Sequence, residues 1–173
     1  MKIWRAGNIC YLRTQLHSQL VNHQEKPIVL TGGHFNPLHI GHLQLFREAK
    51  KLGILVVAVN NDLTSIVKRG YSFMPIRDRM EIISELECVD YVVENEWENM
   101  TKIFPFIGPD IYVKGGDITA DNINKAEKDY CEKVGCKILY GVGGEKVQSS
   151  SWLLDKYQNH IYEKIGYLPC LTQ

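Results

Sequence analysis

The 173-residue chain has little of what would mark several large classes of protein. It lacks a long hydrophobic run: the longest uninterrupted apolar stretch, Ile54–Val59, is far short of the ~20 residues that cross a bilayer. The opening MKIWRAGNICYLR has no apolar core of the secretory type, so no secretory signal is expected. Charge of one sign is not in excess, with 20 Lys+Arg against 20 Asp+Glu. Neither a nucleic-acid surface nor an anionic-membrane surface is therefore expected, and only a local anion pocket remains open. The five cysteines are an odd number without framework spacing, which points to reduced thiols in a cytoplasm. Cys131 and Cys136 have no second pair to complete a zinc site. Repeats and low-complexity tracts are absent as well.

What is present is enough apolar sequence, 45%, for one domain over residues 1–173. Short runs at 27–31, 54–60, 90–93, 110–114 and 137–140 are bounded mostly by Gly, Pro, Asn or Asp and read as buried strands. Amphipathic stretches lie between them, at 39–52, 74–86, 95–106 (cut by Pro105), 117–135 and 149–165. Residues 8–24 read as a leading helix within an N-terminal extension over 1–26, and 156–173 as a C-terminal helix and tail. Both terminal segments carry aromatic residues suited either to local core or to a homodimer interface. Alternating strands and helices predict an α/β fold, a doubly wound sheet of about five parallel strands with helices on both faces. Ligands of such sheets bind beyond the carboxyl ends of the strands.

That edge is where TGGHFNPLHIGHL (residues 31–43) falls. Gly32 and Gly33 admit close backbone approach, and Pro37 stiffens the loop through its own φ and that of Asn36. The helix expected from His39 offers free N–H groups to phosphate oxygens. Gly41 lets a group pack close to the first turn. His39 and His42 share one face three residues apart and can donate to an anion whose charge grows during reaction. A lone helical histidine is usually structural; the combination of strand, double glycine, Asn-Pro and His-x-Gly-His is not.

GGHFNPLHIGH resembles the signature of the nucleotidyltransferases that carry His-x-Gly-His on a Rossmann-like domain. VAVNND (57–62), KRG (68–70), RDRM (77–80), CVDYVV (88–93), PDIYVKGGD (109–117) and QSSS (148–151) follow in the order of one branch. Over roughly residues 25–155 the chain is similar to sugar-phosphate nucleotidyltransferases of the kind whose adenylyltransferase domain makes ADP-heptose.

The resemblance implies roles residue by residue. His39, His42 and a basic residue, Lys68, are the catalytic candidates. Gly32, Gly33, His34, Phe35, Asn36, Gly41, Arg69, Lys114, Gly115, Gly116, Asp117, Ser149, Ser150 and Ser151 are candidates for the nucleotide. Asn60, Asp62 and Arg79 are candidates for the phosphorylated substrate. Plainer readings stand beside several of these. Lys68 and Arg69 also suit a solvated loop, Arg79 an ion pair with Asp78 or Glu81, and Asp117 a helix cap. Three consecutive serines exceed what one cap needs.

The implied reaction moves a nucleoside monophosphate from a nucleoside triphosphate to a small phosphorylated substrate, with Mg2+ entering on the nucleotide. Some positions depart from the branch. Asn36 stands where an aspartate is usual, and Phe35-Asn36-Pro37 resembles nicotinamide-mononucleotide adenylyltransferases, whose arginine after the hydroxyl run is missing here. Gly144–Gln148 lacks the lead-in of glycerol-phosphate cytidylyltransferases, Cys88 replaces their arginine, and KGGD their Gly-Asp-Asp. ATP and a sugar phosphate such as heptose 1-phosphate are therefore expected ahead of CTP and glycerol 3-phosphate or another alcohol phosphate. A non-catalytic nucleotide-binding role is the competing reading, and the intact His39 and His42 argue against it.

Overall fold

The computed structural model of the chain describes residues 3–4, 26–116, 118–145 and 147–165, and at residues 3, 4, 68, 69, 162, 163 and 165 the backbone alone. The expected leading helix at 8–24 lies outside the described residues.

Among the described residues six parallel strands form one sheet in the order β1-β4-β3-β2-β5-β6. β1 is the two-residue Ile3–Trp4, β2 Ile28–Gly33, β3 Ile54–Asn60, β4 Tyr91–Asn95, β5 Ile111–Val113 and β6 Lys137–Leu139. The five expected strands are thus all present, but β6, at the sheet edge, has no buried residue where a buried strand was expected. The sixth, β1, pairs with Val92 and Val93 at the sheet edge, and two residues are too few to show a period in sequence. Every residue of β3 is buried, which explains its unbroken apolar run in the centre of the sheet.

Alternation along the strands divides the core in two. Leu30, Val56, Ala58, Val93 and Tyr112 face one layer, with Phe104, Ile107 and Cys131. Val29, Leu55, Val57, Val59 and Val92 face the other, with Leu45, Phe46, Met80 and Ile83. The helices are α1 (Ile40–Lys50), α2 (Asp62–Arg69), α3 (Ile76–Ser84), the single turn α4 (Phe104–Ile107), α5 (Lys125–Val134) and α6 (Ser150–Ile165).

Three expectations change. Residues 95–106 give only a 3₁₀ turn at Met100–Lys102 and then α4, with Pro105 in its first turn, where a missing N–H costs nothing. The helix expected over 117–135 begins only at Lys125, because Asn124 caps it by accepting from the N–H groups of Ala126 and Glu127. The KRG segment, read as a loop, is the end of α2. Asn61 accepts from Thr64 N–H at its start, and Gly70 closes it with φ 81°, a left-handed cap that glycine adopts without strain.

Candidate active site

The carboxyl ends of β2, β3 and β5 open into a cavity of about 990 Å³. β2 sits centrally, so the loop after it forms the cavity's middle wall. Phe35, at φ 49°, turns that loop, and Asn36–Pro37 is a cis peptide. The Phe35 ring packs edge-on against His42 at 4.9 Å and against Phe46 at 5.1 Å between centroids. A Cβ on Gly32 would fall 2.4 Å from the Met100 terminal carbon, so the flexible Met100 side chain lies in the space that glycine leaves and would have to move for any larger residue.

His39 is the N-cap of α1, with extended backbone at φ −149°. Its ring stacks on His42, centroids 3.6 Å apart and planes 22° from parallel. The His39 N–H donates to His42 Nδ1 at 3.3 Å, so the neutral His42 ring carries its proton on Nε2. Both histidines line the cavity together with Gly41. Gly41 relieves crowding at the stacked pair, since a Cβ there would meet His39 Cε1 and Nδ1 at 3.2 Å and press that ring by a few tenths of an ångström.

Ser149, Ser150 and Ser151 line the same cavity where α6 begins. Ser149 Oγ accepts from Trp152 N–H and contacts Ser151 Oγ at 3.0 Å, while Ser150 Oγ donates to the Pro37 carbonyl at 2.9 Å. Two helix N-termini, those of α1 and α6, are thus joined at one wall. Lys114, Gly115 and Gly116 complete it, and Asp117 lies outside the described residues. The Lys114 ammonium donates to Glu127 Oε2 at 2.8 Å and to Tyr112 Oη at 2.6 Å. Burial first, and then the Glu127 charge, push the Tyr112 hydroxyl well above the usual phenol range, which keeps it a donor to Glu127.

The structure separates the expected site residues into those at the cavity and those behind it. Gly32, Gly33, His34, Phe35 and Asn60 line the cavity with the histidines, Lys114, the glycines and the serines. Asn36, Asp62 and Arg79 do not. Asn36 is buried, taking Met74 N–H on Oδ1 and donating from Nδ2 to Ser72.

Arg79 corrects both the substrate-contact and the Asp78/Glu81 readings. Its fully buried guanidinium pairs with Asp62 at 2.6 Å and donates to the carbonyls of Met74, His34 and Asn60. Helical spacing put Asp78 and Glu81 near it in sequence, but its side chain runs inward and ties the ends of β2 and β3. Burial raises the Asp62 carboxyl, yet hydrogen bonds from Ile76 N–H, Ser72 and Arg79 outweigh it and hold the group below the usual range. The side chains of Lys68 and Arg69 lie outside the described residues.

Gly143 and Gly144 line the cavity without having been singled out from sequence. A Cβ on Gly143, at φ 93°, would fall 2.9 Å from the Leu45 backbone, so the loop before α6 lies directly on α1. The run GVGG at 141–144 was the available signal. Among the described residues no group of three or more His, Cys, Asp or Glu is arranged to hold a metal ion, and no helix is long and apolar enough to cross a membrane.

Comparison with known proteins decides the family, because the cytidylyltransferase-like family model matches residues 30–153, from β2 into α6. The chain belongs to the cytidylyltransferase-like family. It is 34% identical over 143 residues to the bifunctional protein HldE of Hydrogenovibrio crunogenus, covering 80% of this chain and 28% of that one. The corresponding protein of Hahella chejuensis is 36% identical over 146 residues, covering 83% and 28%. The chain therefore spans little more than a quarter of the length of these curated relatives.

Among solved structures, a lipopolysaccharide core biosynthesis protein from Thermoplasma volcanium GSS1 superposes with a TM-score of 0.57 at 31% identity, covering 66% of this chain and 93% of that one. Pantoate-beta-alanine ligase from Francisella tularensis gives 0.66 at 15% identity over 100% of this chain and 82% of its own, a likeness of fold alone. At the level of the cytidylyltransferase-like family the expectation of a nucleotidyltransferase is met.

Proposed function

We propose that this cytidylyltransferase-like chain transfers AMP from ATP to a sugar phosphate such as heptose 1-phosphate and releases pyrophosphate. The observation that carries the proposal is the stacked His39–His42 pair at the start of α1, facing one cavity with the serines that open α6. Support for a sugar phosphate comes from the HldE relatives and from a structural neighbour described as a lipopolysaccharide core biosynthesis protein.

A phosphate oxygen of the acceptor attacks the α-phosphorus, the bond to the bridging oxygen breaks, and that oxygen leaves with pyrophosphate. The nucleophile is already an anion, so no general base is needed, and catalysis rests on alignment and charge stabilisation. His42 donates from Nε2 to the α-phosphate oxygens as charge builds, and His39 holds the ring in place and adds its own donor. Free N–H groups and hydroxyls at the start of α6 suit the departing phosphates. Gly115 and Gly116 admit the nucleoside. Mg2+ is expected to arrive on the triphosphate oxygens, with few protein ligands of its own. We place the reaction in the cytoplasm, where the free thiols of Cys88, Cys131 and Cys136 stay reduced.

The deciding experiment is pyrophosphate release across ATP, CTP, GTP and UTP with heptose 1-phosphate, glycerol 3-phosphate, phosphoethanolamine and nicotinamide mononucleotide. Turnover is expected with ATP and heptose 1-phosphate, falling ~10²–10³-fold in His42→Ala. Turnover with CTP and glycerol 3-phosphate instead would reassign both substrates. Nucleotide binding without turnover across the grid would remove the catalytic reading.

A further inference from the structure

On the β3–β4 side of the cavity one side-chain amide is held in a single orientation by a residue that touches no ligand space. Asn95 ends β4, is 0% exposed, and lies opposite Asn60, the last residue of β3. Trp97 fixes which way the Asn95 amide points: the Trp97 N–H donates to Oδ1 at 3.3 Å, and Nδ2 donates to the Trp97 carbonyl at 3.0 Å. The same Nδ2 donates to Asn60 Oδ1 at 2.9 Å. An amide whose oxygen is turned inward carries its NH2 on the other limb, and Asn60 lines the cavity. Its backbone is held as well, because Arg79 Nη1 donates to the Asn60 carbonyl at 2.8 Å.

We propose that Asn95 is a positioning residue: through the Trp97–Asn95–Asn60 relay it fixes Asn60 as a hydrogen-bond donor toward an oxygen atom, phosphate or hydroxyl, of the phosphorylated acceptor. The proposal rests on the nucleotidyl-transfer reading above. Without the relay, the Asn60 amide would turn at little cost and present its carbonyl oxygen, which repels a phosphate oxygen. The location fits an acceptor subsite. By strand order Asn60, Leu63, Thr64 and Val67, at and after β3, and Glu98, after β4, form one arm of the lining, whereas Gly115 and Gly116 after β5 and Gly143, Gly144 and the serines after β6 form the other. Transfer needs the two substrates to meet between the arms, at His39 and His42.

The test is Asn95→Asp, an isosteric change. Ionised, the new carboxylate accepts from Trp97 N–H and faces Asn60, so Asn60 turns its NH2 inward and shows Oδ1 to the cavity. The acceptor KM is expected to rise about ten- to a hundredfold while the ATP KM holds. The effect should shrink as pH falls, because the protonated carboxyl donates to Asn60 Oδ1 again. In an Asn60→Ala background Asn95→Asp should add nothing.

Parallel rises in both KM values, a pH-independent change, or a full further effect in the Asn60→Ala background would overturn the relay. Calorimetric titration of heptose 1-phosphate and inorganic phosphate separates this result from failure of the transfer reading. Weaker binding to Asn95→Asp than to wild type, without turnover by either, sinks the transfer reading and keeps the relay. Equal binding, or none to the wild type, sinks the relay.

Discussion

At the scale of single residues, one missing Cβ makes room for a pair of stacked imidazoles. Gly41 leaves the space into which the His39 ring folds, and His39 in turn stacks on His42 and donates its backbone N–H to it. Gly41→Ala would improve helix propensity by about 1 kcal/mol in an unconstrained helix. Here the new methyl presses on the His39 ring at 3.2 Å, with the Gln148 carbonyl in ordinary contact at 3.5 Å, and so shifts the ring by a few tenths of an ångström. The expected outcome is a fall in kcat of at least about tenfold with the thermal midpoint little changed, read by steady-state kinetics beside a melting curve. A melting curve that drops while kcat holds would show that Gly41 serves packing rather than the histidine pair.

At the scale of elements, Arg79 joins pieces that are remote in sequence. From α3 it reaches the carbonyls of His34 after β2 and Asn60 at the end of β3, and pairs with Asp62 at the start of α2. Removing one partner of such a pair commonly costs ~3–5 kcal/mol when both charges are buried. The Asp62 side chain is 33% exposed, so the lower end applies to its loss. The pH dependence has a definite sign. The folded carboxyl titrates below its unfolded value, so its stabilisation is complete above about pH 4 and disappears as pH falls through the lowered folded value. Asp62→Asn should therefore lower stability at pH 7 and make denaturant midpoints less sensitive to acid than those of the wild type between about pH 5 and 3. An unchanged acid limb would exclude Asp62 as its source.

At the scale of the whole molecule, one cavity draws on the ends of three strands and the starts of two helices, so occupying it links segments that local contacts leave separate. Mg-ATP alone, without acceptor, should raise the thermal midpoint. At a hundred times Kd the gain in stability is about 2.7 kcal/mol, provided the unfolded chain does not bind. Calorimetry on wild type and His42→Ala checks this, and both should shift if His42 acts mainly on the transition state. The core also shields two thiols. Burial, followed by its neighbour Cys136, pushes the Cys131 thiol up to about 12, and burial raises Cys136.

Much of this was legible before the structure. Five strands could be read because a short apolar run between turn residues has few other uses, although β6 proved to be a partly exposed edge strand. The His-x-Gly-His helix start could be read because its special residues are adjacent in the chain. The sequence by itself determined the alternating fold, the edge at which the cavity opens, and the histidines, glycines and serines that face it. Only the tertiary structure decided that Arg79, Asp62 and Asn36 stand behind that cavity rather than in it, that α2 exists, that Gly143 lies on α1, and that Asn95 orients Asn60. The physical reason is common to these cases. Periodicity and capping act over a few residues, whereas a buried guanidinium or amide chooses its partner by direction across distances of 17 to 45 residues in sequence.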